Sequence, residues 1–125
     1  MAGKHGIILF GHGARDPRWA EPFQRLLSRL RYARGADQPV SLAFLELMTP
    51  DLVSAVAAQV AEGCTAITVV PVFFGQGGHV RNDLPQIVEQ CRALFPDVHV
   101  QCATAVGEDD AVLDAVAQYC ARQVF

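Results

Sequence analysis

Apolar positions along this chain gather in two near-continuous blocks, at residues 6–10 and 66–74, and in two more mixed strand-like stretches, at 40–46 and 98–106, separated by stretches in which they recur at helical spacing. The first block, Gly6-Ile7-Ile8-Leu9-Phe10, and the second, Ala66-Ile67-Thr68-Val69-Val70-Pro71-Val72-Phe73-Phe74, are β-branched or aromatic and lack polar alternation. That is what strands covered on both faces require, and it predicts a parallel sheet. Between the blocks, Trp19, Phe23, Leu26, Leu27 and Leu30 trace one helix and Leu52, Val53, Val56 and Val60 a second. Leu84, Ile87, Val88, Cys91, Leu94 and Phe95 trace a third, stopped by Pro96.

Local signals set the expected boundaries. Asp16-Pro17 and Thr49-Pro50 each read as a cap followed by a proline in the first turn, and Gly35 and Gly63 as terminators. Two starts are open for the third helix: near His79, or at Asp83 as a cap with Pro85 in the first turn, where a missing N–H costs little. A last helix is expected from the acidic Glu108-Asp109-Asp110, favourable beside the positive end of a helix dipole.

Strand and helix thus alternate four times. With short loops and right-handed crossovers this predicts an α/β, doubly wound, flavodoxin-like domain spanning residues 1–125, its four-stranded parallel sheet in the order 2-1-3-4 with helices on both faces. The switch point then lies between strands one and three, and ligands of such sheets bind outside the carboxyl ends of the strands.

Composition narrows the function classes. A chain of 125 residues with 51% hydrophobic content builds one core, and a net charge of −3 gives no footprint for nucleic acid. No apolar stretch reaches the roughly 20 residues of a membrane span, and Met1 to His5 lack a signal-peptide apolar region, so a cytoplasmic protein is expected. Cys64, Cys91, Cys102 and Cys120 form no C-x-x-C pair and read as buried reduced thiols.

The chemistry concentrates in two glycine-rich segments that follow strands one and three, Gly11-His12-Gly13 and Gly75-Gln76-Gly77-Gly78-His79. The topology brings both imidazoles to one crevice, whereas His5 and His99 fall at the opposite edge of the sheet and serve as internal controls. A histidine at a helix start has its cationic form disfavoured by the dipole, which keeps a nitrogen lone pair free on His79.

Three segments carry a family resemblance: 9–17, Leu9-Phe10-Gly11-His12-Gly13-Ala14-Arg15-Asp16-Pro17; Phe44-Leu45-Glu46 followed by Pro50; and 70–85, which contains the His79 loop and Val80-Arg81-Asn82-Asp83-Leu84-Pro85. Together they resemble the signatures of the short sirohydrochlorin chelatases, the small CbiX or SirB-like members of the class II chelatases. The resemblance implies that His12 and His79 face a tetrapyrrole and take part in inserting a divalent metal. It also implies a homodimer, because short members are similar to one half of the longer two-domain enzymes.

Elementary chemistry agrees. Metal insertion needs a ligand that accepts and releases M²⁺ and a base for two pyrrolic protons, and neutral imidazole does either. Two imidazoles with Glu46 as third ligand, or as the acceptor that orients an imidazole, form a labile N/O site suited to Co²⁺, Fe²⁺ or Ni²⁺ as substrate, with no permanently bound cofactor. Arg15 and Arg81 are the expected partners of the eight carboxylates of sirohydrochlorin, unless they pair with Asp16 and Asp83. Gly75, Gln76, Gly77 and Gly78 would bring backbone close to the ring; Asp83 reads as a helix cap.

A planar macrocycle must be gripped over both faces, which predicts two crevice rims face to face in a dimer. The product would enter cobalamin or sirohaem biosynthesis. A non-catalytic tetrapyrrole or metal carrier would use the same crevice. A histidine phosphatase is disfavoured because Gly11 stands where that family has arginine, and a flavodoxin-type carrier because the first loop lacks a hydroxyl-rich phosphate cradle.

Overall fold

The computed structural model describes residues 3–75 and 78–124, with the side chains of 78–81 left out. The elements run β1 (Lys4–Gly11), a 3-10 turn (Pro17–Ala20), α1 (Glu21–Arg34), β2 (Val40–Phe44), α2 (Leu52–Ala61), β3 (Cys64–Pro71), α3 (Gly78–Leu94), β4 (His99–Cys102), a second 3-10 turn (Val106–Glu108) and α4 (Asp110–Ala121). The four strands form one parallel sheet in the order β2-β1-β3-β4, as expected.

Strand register divides the side chains between two faces. Ile8 and Phe10 of β1, Ile67 and Val69 of β3 and Val100 of β4 point to one face, where they are buried with Leu52 and Val56 of α2 and Leu84, Val88 and Cys91 of α3. This is the main core. Leu9, Val40 and Phe44 point to the other face and are buried beneath α1, whose Phe23 joins Trp19 and Phe44 in an aromatic cluster with centroids 4.7 to 6.2 Å apart. Gly11 makes room for that cluster, since a Cβ there would lie 2.9 Å from the Phe23 ring.

Gln59 is the exception to an apolar core. Its amide is fully buried and donates to the Ile7 carbonyl (3.0 Å) and to Ser41 Oγ (2.8 Å), tying α2 to both β1 and β2. Gly6 leaves the space it fills, because a Cβ there would come within 1.9 Å of Gln59 Oε1.

Several boundaries differ from expectation. Asp16 does cap, but the turn it caps is the 3-10 segment that feeds α1, through a bond from the Arg18 amide (2.9 Å). The cap of α2 is Asp51, whose carboxylate accepts from the Ser54 amide at 2.8 Å, so Thr49-Pro50 precedes the helix instead of opening it. Asp83 is not a cap: α3 begins at Gly78 and runs through Pro85. The helix loses one backbone bond there, and burial of Leu84, Val88 and Cys91 holds it regardless. The 66–74 and 98–106 stretches overrun their strands, which end at Pro71 and Cys102. Cys64 and Cys91 are buried as predicted, but Cys102 and Cys120 are exposed. Cys102 lies on an edge strand and Cys120 on a helix that little covers. Gly35 (φ 93°), Gly63 (φ 101°) and the Asp109 cap of α4 stand where the sequence places them. Among the described residues no helix is long and apolar enough to cross a membrane.

Candidate functional site

The order β2-β1-β3-β4 puts the switch point between the carboxyl ends of β1 and β3. β1 delivers His12 one residue past its end, and the backbone beyond β2 continues the ladder alongside it: the Leu45 amide donates to the Gly11 carbonyl (2.9 Å) and the Glu46 amide to the His12 carbonyl (3.2 Å). This pairing places the side chains of His12 and Glu46 together, with His12 Nε2 to Glu46 Oε1 at 3.1 Å. Both are about half exposed, at 45% and 46%, so the pair is open to a ligand and fixed in position by the sheet beneath it. The contact anticipated from sequence is present.

Two unusual backbone conformations shape this corner. Gly13 has φ 98°, and a Cβ on it would lie 1.8 Å from the Glu46 carbonyl oxygen. Leu47, immediately after Glu46, has φ 65°, a left-handed conformation that costs a non-glycine residue free energy and is concentrated at functional sites. Beyond β3, the Val72 amide donates to the Phe10 carbonyl at 2.8 Å, tying the start of the next loop to β1. α3 then starts at Gly78, so the backbone of His79 stands in the first helical turn at the same sheet edge as His12. The side chains of His79 and Arg81 and the Gln76–Gly77 part of the loop lie outside the described residues, and of Gly78 the helix start is described. Gly75 is exposed, with no described residue within 4 Å of where a Cβ would stand.

Arg15 is exposed and has no ion-pair partner among the described residues. Asp16 is engaged by Arg18 (2.7 Å), which holds its carboxyl below the usual range, so the alternative pairing of Arg15 with Asp16 is absent. Arg15 lines a 530 Å³ cleft with Ala14, Ala20, Gln24, Phe44 and Met48. A second, more polar cleft of 490 Å³ is lined by Leu45, Glu46, Asp83, Gln86, Ile87 and Gln90. The chain after β2 runs between the two. Among the described residues no three His, Cys, Asp or Glu side chains converge as a metal cage.

Sequence reasoning missed two rim residues. Leu47 (58% exposed) and Phe74 (64% exposed) present apolar surface beside the crevice. In sequence Phe74 continues the apolar run of β3, but the strand stops at Pro71 and the ring beyond it is exposed. His5 and His99 are exposed and lie toward the amino ends of their strands, away from this rim.

The parallel 2-1-3-4 sheet is the fold that the resemblance of the three sequence segments implies, and the His12–Glu46 pair stands at the carboxyl ends of its strands. The CbiX family profile matches residues 6–123, and the chain belongs to that family. It is 31% identical over 123 residues to the sirohydrochlorin cobaltochelatase of Methanosarcina acetivorans, covering 93% of this chain and 94% of that protein. It is 34% identical over 85 residues to the sirohydrochlorin cobaltochelatase of Methanothermobacter thermautotrophicus, covering 68% of this chain and 58% of that protein. The sirohydrochlorin ferrochelatase of Bacillus subtilis is 27% identical over 90% of this chain, which spans 43% of that protein. The chain therefore spans about half the length of some relatives and nearly all of others. Among solved structures, a CbiX protein from Marinobacter aquaeolei VT8, titled for cobalamin (vitamin B12) biosynthesis, superposes with a TM-score of 0.78 at 31% identity, covering 95% and 99% of the two chains. SirB from Bacillus subtilis with Fe³⁺ superposes with a TM-score of 0.79 at 27% identity, covering 98% of this chain and 48% of SirB.

Proposed function

We propose that this protein is a sirohydrochlorin chelatase that inserts cobalt or iron, and with the same ligand set nickel, into the free-base macrocycle. The observation that carries the reading is the His12–Glu46 pair, held beside the switch point by backbone bonds between the end of β1 and the chain beyond β2.

Insertion exchanges one M²⁺ for two pyrrolic protons, so the site must supply a base and a transient ligand. With the Nε2–H of His12 donated to Glu46, the Nδ1 lone pair is the free nitrogen, available to a proton or to the metal. Glu46 fixes the ring and offsets the charge if the imidazole becomes protonated. His79, whose backbone stands in the first turn of α3, supplies the second imidazole in this reading. Arg15 and Arg81 receive carboxylates of the substrate, Gly75 to Gly78 admit its edge, and Leu47 and Phe74 meet its apolar face. A ligand set of this kind holds the metal loosely enough for four pyrrole nitrogens to take it. One crevice rim covers one side of a planar ring, and a homodimer supplies the other.

The test is an anaerobic absorbance assay with sirohydrochlorin and Co²⁺, Fe²⁺ or Ni²⁺ in turn. Conversion faster than background, lost in His12→Ala and His79→Ala and kept in His5→Ala and His99→Ala, supports the reading. Tetrapyrrole binding without turnover would replace it with a carrier.

A further inference from the structure

The chain beyond β2 divides two clefts of opposite character. Leu45 and Glu46 line the 490 Å³ cleft toward α3, whereas Leu47 to Pro50 line the 530 Å³ cleft toward α1. The crossing falls at Leu47, whose left-handed φ of 65° turns the chain from one side to the other. Backbone bonds fix this dividing segment: the Glu46 amide donates to the His12 carbonyl (3.2 Å), and the Phe44 amide to the Pro50 carbonyl (3.0 Å).

Charge follows the division. Toward α1 the lining carries Arg15 and Arg31, with Gln24 and apolar side chains between them; toward α3 it carries Glu46, Asp83, Gln86 and Gln90. Among the described residues no carboxylate lines the first cleft and no cation the second. A cleft lined by one sign of charge concentrates ions of the other. The two substrates of the proposed reaction are of opposite sign, a polyanionic macrocycle and a divalent cation. Separate approaches keep them apart until they reach the donors, which serves the reaction because carboxylates themselves bind such metals.

Asp83, Gln86 and Gln90 stand three and four residues apart, on one stripe of α3 about 10 Å long. The helix begins at the carboxyl ends of the strands, so Asp83 is the member of the stripe nearest them and Gln90 the farthest. Glu46 joins the stripe to the imidazole, since its carboxylate lines this cleft and lies 3.1 Å from His12 Nε2. A divalent ion with six waters occupies roughly 180 Å³, at about 30 Å³ for each water, and the cleft accommodates it. Carboxylate and carboxamide oxygens accept hydrogen bonds from those waters, so the ion is received with its shell in place and held loosely.

We infer that Asp83 and Gln86 receive the hydrated metal substrate and pass it along this cleft to Glu46 and His12, while carboxylates of the macrocycle are taken on the α1 side. The inference rests on the chelatase reading above and adds to it the route of the metal and two residues that bind it.

The test adds one charge on each side of the divide, Gln86→Lys and Gln24→Glu, both at exposed positions, and measures KM for Co²⁺ and for sirohydrochlorin separately at low ionic strength. Gln86→Lys is expected to raise KM for Co²⁺ about five-fold, the effect of one unit charge on a divalent ion about 8 Å away in water, and to leave that for sirohydrochlorin unchanged. Gln24→Glu should do the reverse. Both effects should shrink in high salt, which an altered packing would not do. Equilibrium dialysis against Co²⁺ alone reads the cleft without turnover: Gln86→Lys and Asp83→Asn should each weaken binding several-fold, and Gln24→Glu should not. A wild-type protein that binds Co²⁺ with this pattern and inserts nothing would overturn the chelatase reading and leave the cleft standing. Insertion by wild type, with KM and affinity for Co²⁺ unmoved by Gln86→Lys and Asp83→Asn, would overturn the route and leave the chelatase standing.

Discussion

Gly13 lies directly against the backbone of Glu46: at φ 98° it has its α-carbon where any side chain would run into the Glu46 carbonyl, 1.8 Å from an added Cβ. The close approach is what lets the chain beyond β2 run beside the His12 loop, and it gives the glycine a role separate from any contact with substrate. Gly13→Ala is therefore expected to lower stability by about 2 kcal/mol or more through strain and clash, and to abolish insertion by displacing Glu46 from His12. Denaturant unfolding and the absorbance assay check both parts, and an alanine variant of parental stability and rate would refute the packing.

Glu46→Gln tests the pair itself. The amide preserves size and an acceptor oxygen but cannot balance an imidazolium. Under the proposed role of His12, turnover is expected to fall roughly 10- to 100-fold, the usual effect of removing a partner that orients a metal-ligating histidine. Because Glu46 is half exposed, the thermal midpoint should stay within a few degrees. A variant that loses stability and keeps its rate would make the pair structural.

Asp51 gives a pH signature. Its hydrogen bond with the Ser54 amide at the start of α2 holds its carboxyl below the usual range. A lowered folded-state pKa means stability that is present above the unfolded value, about 3.9, and lost as pH falls through the folded one. Asp51→Ala should cost about 1 kcal/mol at neutral pH, and its difference from wild type should shrink below roughly pH 4. Paired unfolding curves at pH 7 and at the acid end measure it; a gap that widens in acid would reverse the assignment.

Cys64 and Cys91 are buried, and desolvation pushes both thiols up from the ordinary range. Reaction requires the thiolate and access to it, so neither should be modified by an aromatic disulfide reagent until the chain unfolds. Stoichiometry in native buffer and in denaturant, read by mass spectrometry of the labelled peptides, decides the matter. Rapid native labelling of Cys91 would show that α3 opens readily.

The two central strands were legible because an unbroken β-branched run has few other solutions, and the alternation of strand with helix carried the other two and the order. The edges were less so. Val72 to Phe74 continue the apolar pattern of β3 with nothing in their chemistry to mark its end, and only the tertiary arrangement turns Phe74 outward. Thr49-Pro50 mimics a helix start, whereas the capping hydrogen bond belongs to Asp51. Of the site, the histidines, Arg15 and Glu46 could be named from spacing and resemblance. Gly13 against Glu46, and Gln59 beneath Gly6, depend on contacts between residues more than thirty positions apart, which no local pattern records.

The pairing of β1 with both neighbours carries a consequence for how such a protein can change. Gly11 stands opposite Phe44 and Phe10 opposite Pro71, so the crevice residues emerge from three strand ends at levels set by the sheet. A slip of one residue in either pairing would displace a donor by about 3.3 Å and exchange the two faces of the strand. Loop substitutions leave that alignment untouched. In the proposed chelatase, selection on metal preference can thus work through the loops while the spacing of His12 and Glu46 is inherited unchanged from the strands beneath.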